Sequence, residues 1–276
     1  MSTHPTPSGV LLDLRLAAGS IEITTADTDS TTVTLDALGD DEAVRDLIER
    51  TREEAVQESD GTTRVIVHVP EKSGIRRLFG SPDIVMRIEA PHGARVRATT
   101  ASADVRCLGR MGATSIKSAS GDIELPDVDG PIELRTQSGD VRCGKVAGEA
   151  HASSMSGDVT IGDIHGDTFA KSMSGDVVLG NVAGSIEAST MSGNVKVASV
   201  RAGAVELSSM SGDLDVAVQR GTRVYLDVQT LSGEARSDLA VNDQPEGDAS
   251  AELTLKASSK SGDVRIRRAP ETAGVA

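Results

Sequence analysis

Aromatic side chains are almost missing from this chain: Phe79, Phe169 and Tyr225 are the whole set, and tryptophan is absent. A globular enzyme of 276 residues ordinarily draws core volume and substrate contacts from aromatic rings, so here the volume has to come from Val, Ile, Leu, Met and Ala. The same shortage removes the stacking platforms that hold single-stranded nucleic acid. Positive charge is also in deficit. The formal net charge of −14 repels phosphate backbones, and nucleic acid is not expected as a partner. No segment approaches the roughly 18 apolar residues needed to cross a bilayer. The first 19 residues have no basic start, and Asp13 and Arg15 interrupt their apolar run. A soluble, cytoplasmic protein is expected. Two cysteines, Cys107 and Cys143, do not make a disulfide framework. H-E-x-x-H, G-x-S-x-G and phosphate-loop motifs are absent as well.

Glycine, by contrast, is plentiful at 28 residues, and short apolar runs separate the glycines. That interleaving marks turns rather than a linker. Ser-Gly-Asp begins at Ser120, Ser138, Ser156, Ser174, Ser211 and Ser261. Near-copies begin at Ser102 (Ser-Ala-Asp), Ser192 (Ser-Gly-Asn) and Ser232 (Ser-Gly-Glu). From Ser102 to Ser192 the spacing is 18 every time; it then loosens to 19, 21 and 29. Five identical consecutive spacings define a repeat.

Each 18 divides into two nines, as in SGDVTIGDI followed by HGDTFAKSM. Each nine reads as a Gly-containing corner followed by a short alternating strand. One aliphatic row is Val105, Ile123, Val141, Val159, Val177 and Val195; a second is Cys107, Leu125, Cys143, Ile161, Leu179 and Val197. Between them lie mostly polar residues, among them Arg106, Glu124, Thr160 and Lys196, which is period-two alternation with one face buried. The ninth position adds Val128, Val146, Ile164, Val182 and Val200. Its counterpart in the second nine is Met155, Met173, Met191 and Met210. This row is expected to fill the corner of a narrow core, in preference to a soft-metal site, because no His or Cys converges on it.

One nine cannot bury its apolar edge alone, whereas stacked coils can. The pattern predicts an all-β fold, a parallel β-solenoid (β-helix) with about 18 residues and two strands per coil, plus one N-terminal helix. Corner glycines are expected to supply positive φ, and the following Asp or Asn to hold the turn. Right-handed winding is the default. Cys107 and Cys143 fall in one row two coils apart, with Cα atoms about 9.6 Å from each other. A disulfide needs roughly 4.4–6.8 Å, so two free, buried thiols are expected.

Residues 1–97 read as N-terminal strands with a capping helix over 40–58, continuous with the repeats of 98–268; residues 269–276 read as a disordered tail. Within the first segment Gly19-Ser20-Ile21-Glu22-Ile23 resembles a worn repeat. The helix carries an apolar stripe of Val44, Leu47, Ile48 and Ala55. Residues 72–82 (KSGIRRLFGSP) stand out as basic on an acidic chain. With Ile75, Arg76, Arg77, Leu78 and Phe79 they form a candidate interaction loop for a partner or an anionic membrane surface. The reading preferred for them is a packed loop that plugs the core.

The segments SASGDIEL, TQSGDVRC, SMSGDVTI, SMSGDVVL and SKSGDVRI resemble the bacterial "putative adhesin" β-strand-repeat domain, a family of unknown function, over roughly residues 10 to 268. That resemblance implies an accessory role linked to cell-envelope stress or regulation, and it carries no catalytic residues to transfer. The expected function is a non-catalytic scaffold or protein-interaction module. The alternatives are a self-assembling or adhesin-like structural protein and, behind both, a carbohydrate-active β-helix enzyme. Partners would be protein, or a second copy in a homodimer. No cofactor is expected. The weak metal candidates are Asp122, Asp140, Asp158 and Asp176, one carboxylate per coil, which calcium could bridge. Turn capping is the preferred account. The outward residues Glu133, His151, Phe169, Glu187, Glu206 and Tyr225 are read as one solvated, partner-facing row.

Overall fold

The computed structural model describes residues 1–39, 42–71, 84–239 and 251–270. It divides into two units, Met1–Lys145 and Val146–Ala276. Each is a parallel β-solenoid in which every coil gives one strand to each of two ladders.

In the first unit one ladder runs Thr63–His68, Val10–Leu16, Ala94–Thr100, Arg110–Lys117, Ile132–Arg135. The other runs Ile84–Pro91, Gly19–Ala26, Asp104–Leu108, Ile123–Val128. The worn repeat is a true coil, since Ile21 pairs with Val105 and Ile23 with Cys107. The chain therefore lays down its second coil outside its first, then crosses back to continue from the first coil's other side. Antiparallel strands finish the outer end: Arg52–Gln57 on Thr63–His68, and Ser30–Ala37 on Ile84–Pro91.

The second unit repeats the manoeuvre at its far end. One ladder runs Ala150–Ser153, Thr168–Lys171, Ile186–Ser192, Gly203–Ser211, Ala251–Ser261, Thr222–Ser232. The other runs Val159–Ile161, Val177–Val182, Val195–Val200, Leu214–Val218, Val264–Arg268, Ala235–Ser237. The last coil in sequence slots between the two before it. This exchange explains the loosened spacing, because the coil that follows Asp213 in space is the one carrying Asp263.

Strand alternation builds the core. Val159, Val177, Val195, Leu214 and Val264 form one buried column, and Ile161, Leu179, Val197, Val216 and Ile266 the other. Full burial of such a side chain is worth roughly 1.5–3 kcal/mol, so the columns carry most of the stability.

The helix is shorter than the sequence suggests. It covers Glu42–Glu49, buries Val44 and Leu47, and packs against Ser30–Ala37. Residues 52–57, which belong to the expected helix, are instead a strand. The open edge of Thr63–His68 offers that segment a row of ladder hydrogen bonds, and this tertiary demand overrides helix propensity. The reversal into Thr63–His68 uses Gly61 at φ +84°, with Thr62 N–H donating to Asp60 Oδ1 at 2.9 Å. Ala269 is still buried and its N–H donates to the Val218 carbonyl at 2.9 Å, so the expected tail does not begin there. Residues 271–276 and the loop residues Ile75, Arg76, Arg77, Leu78 and Phe79 lie outside the described residues.

Candidate interaction surface

The corner that follows each second strand is the most repeated piece of chemistry in the chain. Strand alternation turns Ser154, Ser172, Thr190 and Ser209 inward, where all are buried. Ser172 Oγ accepts the Gly175 N–H at 2.9 Å and donates to the Gly157 carbonyl of the preceding coil at 3.0 Å. Thr190 and Ser209 donate likewise to the carbonyls of Gly175 and Gly193. In the first unit Ser118 and Thr136 accept from Gly121 and Gly139. A ladder of buried hydroxyls thus satisfies backbone groups that no aliphatic side chain could.

This corrects the reading of the methionines. Met155, Met173, Met191 and Met210 are not corner filler; they are 50%, 40%, 42% and 45% exposed. The hydroxyl residue one place earlier takes the interior position, and alternation puts the thioether outside. Four large apolar side chains in successive coils, about 4.8 Å apart, make an exposed apolar edge. The corner glycines also act differently from expectation. Gly121, Gly139, Gly175 and Gly193 do not have positive φ. They are needed for close approach: a Cβ on Gly175 would lie 2.5 Å from the Gly157 carbonyl carbon, and one on Gly193 2.7 Å from that of Gly175.

The aspartate row forms a second ladder. The N–H of Asp122 donates to Asp104 Oδ1 at 2.9 Å, that of Asp140 to Asp122 at 2.8 Å, and that of Asp176 to Asp158 at 2.8 Å. Asn194 takes its place in the row, receiving the Asp213 N–H on its own Oδ1 at 2.9 Å. An amide oxygen serving as well as a carboxylate shows that the row supplies acceptors to backbone, which is turn capping. Among the described residues no three His, Cys, Asp or Glu side chains gather as metal ligands would.

Along the outward face His151 and Phe169 stack, with ring centroids 5.9 Å apart. The row continues through Glu187, Glu206 and Lys256 to Asp227. Tyr225 is not in it; it pairs with Thr254, one outward position away, because the inserted last coil sets its register. Both cysteines are free and buried, and burial pushes each thiol up to about 12.

A polar cluster that the sequence did not flag lies on the first unit. Asp13, nearly buried, accepts from Arg64 and lies 3.0 Å from His68 Nε2. Burial works to raise its carboxyl, but the hydrogen bonds and charges of Arg64 and His68 outweigh this and hold it below the ordinary value of 3.8. The sequence signal was a lone Asp inside an aliphatic strand, VLLDLRL. Among the described residues no helix is long and apolar enough to cross a membrane.

Coil stacking and the hydroxyl and aspartate ladders together define a β-solenoid repeat protein. The chain belongs to the Toastrack DUF4097 family, whose pattern matches residues 12–268. Two solved structures are similar to it. A "putative cell adhesion protein" from Clostridium sporogenes is 11% identical, with 97% of this chain and 98% of that chain covered and a TM-score of 0.29. A "putative adhesin" from Bacteroides fragilis is 12% identical, with 97% and 95% covered and a TM-score of 0.44. No curated protein matches the chain.

Proposed function

We propose that this protein is a non-catalytic scaffold whose methionine edge is a contact surface for a protein partner, in an accessory role linked to the cell envelope. One observation carries the reading: four methionines stand half-exposed in consecutive coils, outside the buried columns of the core. Flexible thioether side chains adapt to a partner's shape, and Met is over-used at surfaces that bind other proteins. The buried polar groups at the corners are meanwhile engaged with backbone, which is structural work. The reading includes a cytoplasmic setting, which suits two free thiols, and cell fractionation tests that part.

The test of the contact surface is a comparative pull-down from the native host. The bait is the wild-type chain beside a variant with Met155, Met173, Met191 and Met210 all changed to Gln. Because these side chains are half-exposed, the variant should melt close to wild type. A protein retained by the first bait and lost with the second supports the reading. Equal retention by both refutes it.

A further inference from the structure

The outermost described strand of the second unit, Thr222–Ser232, has a ladder partner on one side only, Ala251–Ser261. The positions that pair with buried residues of its neighbour stand open: Leu226 is 41% exposed, whereas its ladder partner Leu255 is 0%. Val224 and Val228 are half-buried. Natural edge strands are kept short, or broken by proline and charge; this one is 11 residues long, proline-free and apolar on its inner row. The outer end of the first unit shows the usual protection. There Arg52–Gln57 presents the exposed charges of Arg52 and Glu54, paired at 2.7 Å.

We propose that a second copy of this chain covers the Thr222–Ser232 edge, the two strands pairing antiparallel about a two-fold axis at Tyr225. The sequence of the strand is self-complementary in this arrangement. Arg223 falls opposite Asp227 of the second copy, Asp227 opposite its Arg223, and Val224 opposite Leu226, while Tyr225 faces itself. A two-fold centred on Asp227 would set like charges face to face, which is destabilising. Arg223 already binds Glu252 at 3.2 Å, but a guanidinium has five N–H donors and keeps others for Asp227. A two-fold interface uses the same patch on both subunits, so assembly closes at two. Pairing at this edge holds whatever the methionine edge carries, so either proposal can fail alone.

Size-exclusion chromatography with light scattering on the full chain tests it. The expected species has twice the 28.5 kDa mass of one chain and does not grow further with concentration. Arg223→Asp alone and Asp227→Arg alone should each weaken pairing by about tenfold or more, since each reverses two symmetry-related contacts. An equimolar mixture of the two variants should restore the dimer, because each then meets its opposite charge. Circular dichroism confirms that both are folded. Should either fail to fold, Tyr225→Cys decides: it should form an intermolecular disulfide under mild oxidation, while Gln229→Cys should not. A monomer at all concentrations, growth past two chains, dimers indifferent to both reversals, or no cross-link in the Tyr225→Cys variant would overturn the proposal.

Discussion

Replacing Ser172 by alanine removes one oxygen and strands two backbone groups. Ser172 is fully buried; its Oγ accepts the Gly175 N–H and donates to the Gly157 carbonyl. Leaving a buried donor or acceptor unmade costs roughly 1–3 kcal/mol. With both stranded at the same corner, the expected loss is about 2–4 kcal/mol. For a chain of this size that lowers the melting midpoint by about 5–15 °C. Ser172→Thr is the control, because Thr190 occupies the equivalent place one coil on and donates to Gly175 in the same way. It should stay within about 1 kcal/mol of wild type. Thermal melts and urea titrations followed by far-UV circular dichroism read both variants. An alanine variant as stable as wild type would show that the hydroxyl ladder does not hold the corners together. So would a threonine variant as weak as alanine.

Val177→Asp places a carboxylate in a fully buried aliphatic column and should cost more than about 4 kcal/mol; Val178→Asp, one residue on and outward, should cost under about 1 kcal/mol in the same urea titration. Thr168 is buried with its hydroxyl unpartnered, so Thr168→Val should raise stability by about 1 kcal/mol, read as a higher midpoint. Asp13, held below its ordinary 3.8 by Arg64 and His68, contributes stability that is complete above that value and lost as pH falls through the lower folded one. Acid titration of wild type against Asp13→Asn should therefore show the steeper loss below 3.8 in wild type.

The coils themselves were legible because a constant spacing leaves little choice of register. Once Val159 and Val177 share a column, each neighbouring pair follows. The hydroxyl ladder is equally visible in the sequence: every Ser-Gly-Asp in the repeats is preceded, two residues earlier, by Ser or Thr, as in Ser154-Met155-Ser156. Hydrophobicity alone points to the methionine as the inward residue, whereas the corner's backbone groups demand the hydroxyl beside it. Other features are not local. Arg52–Gln57 contains good helix formers, and only the open edge of Thr63–His68 makes it a strand. The exchange of end coils leaves a single trace, the stretch to 21 and 29 residues near the C-terminus. From spacing alone, that trace is indistinguishable from ordinary loop insertion.

Repeat arrays usually come apart from their ends, where a terminal unit has one neighbour rather than two. Here the first and last coils in sequence are gripped from both sides, Val10–Ala26 in one unit and Ala251–Arg268 in the other. Among the described residues of the second unit, the outer coil Thr222–Ser237 has one parallel neighbour, Ala251–Arg268, although it precedes that coil in sequence. Opening of the second unit is expected to begin at that outer coil rather than at Ala251–Arg268. Amide exchange should be faster at Ala235–Ser237, which lies outside the proposed pairing and has one neighbour, than at Val264–Arg268, which has two, although the latter comes later along the chain.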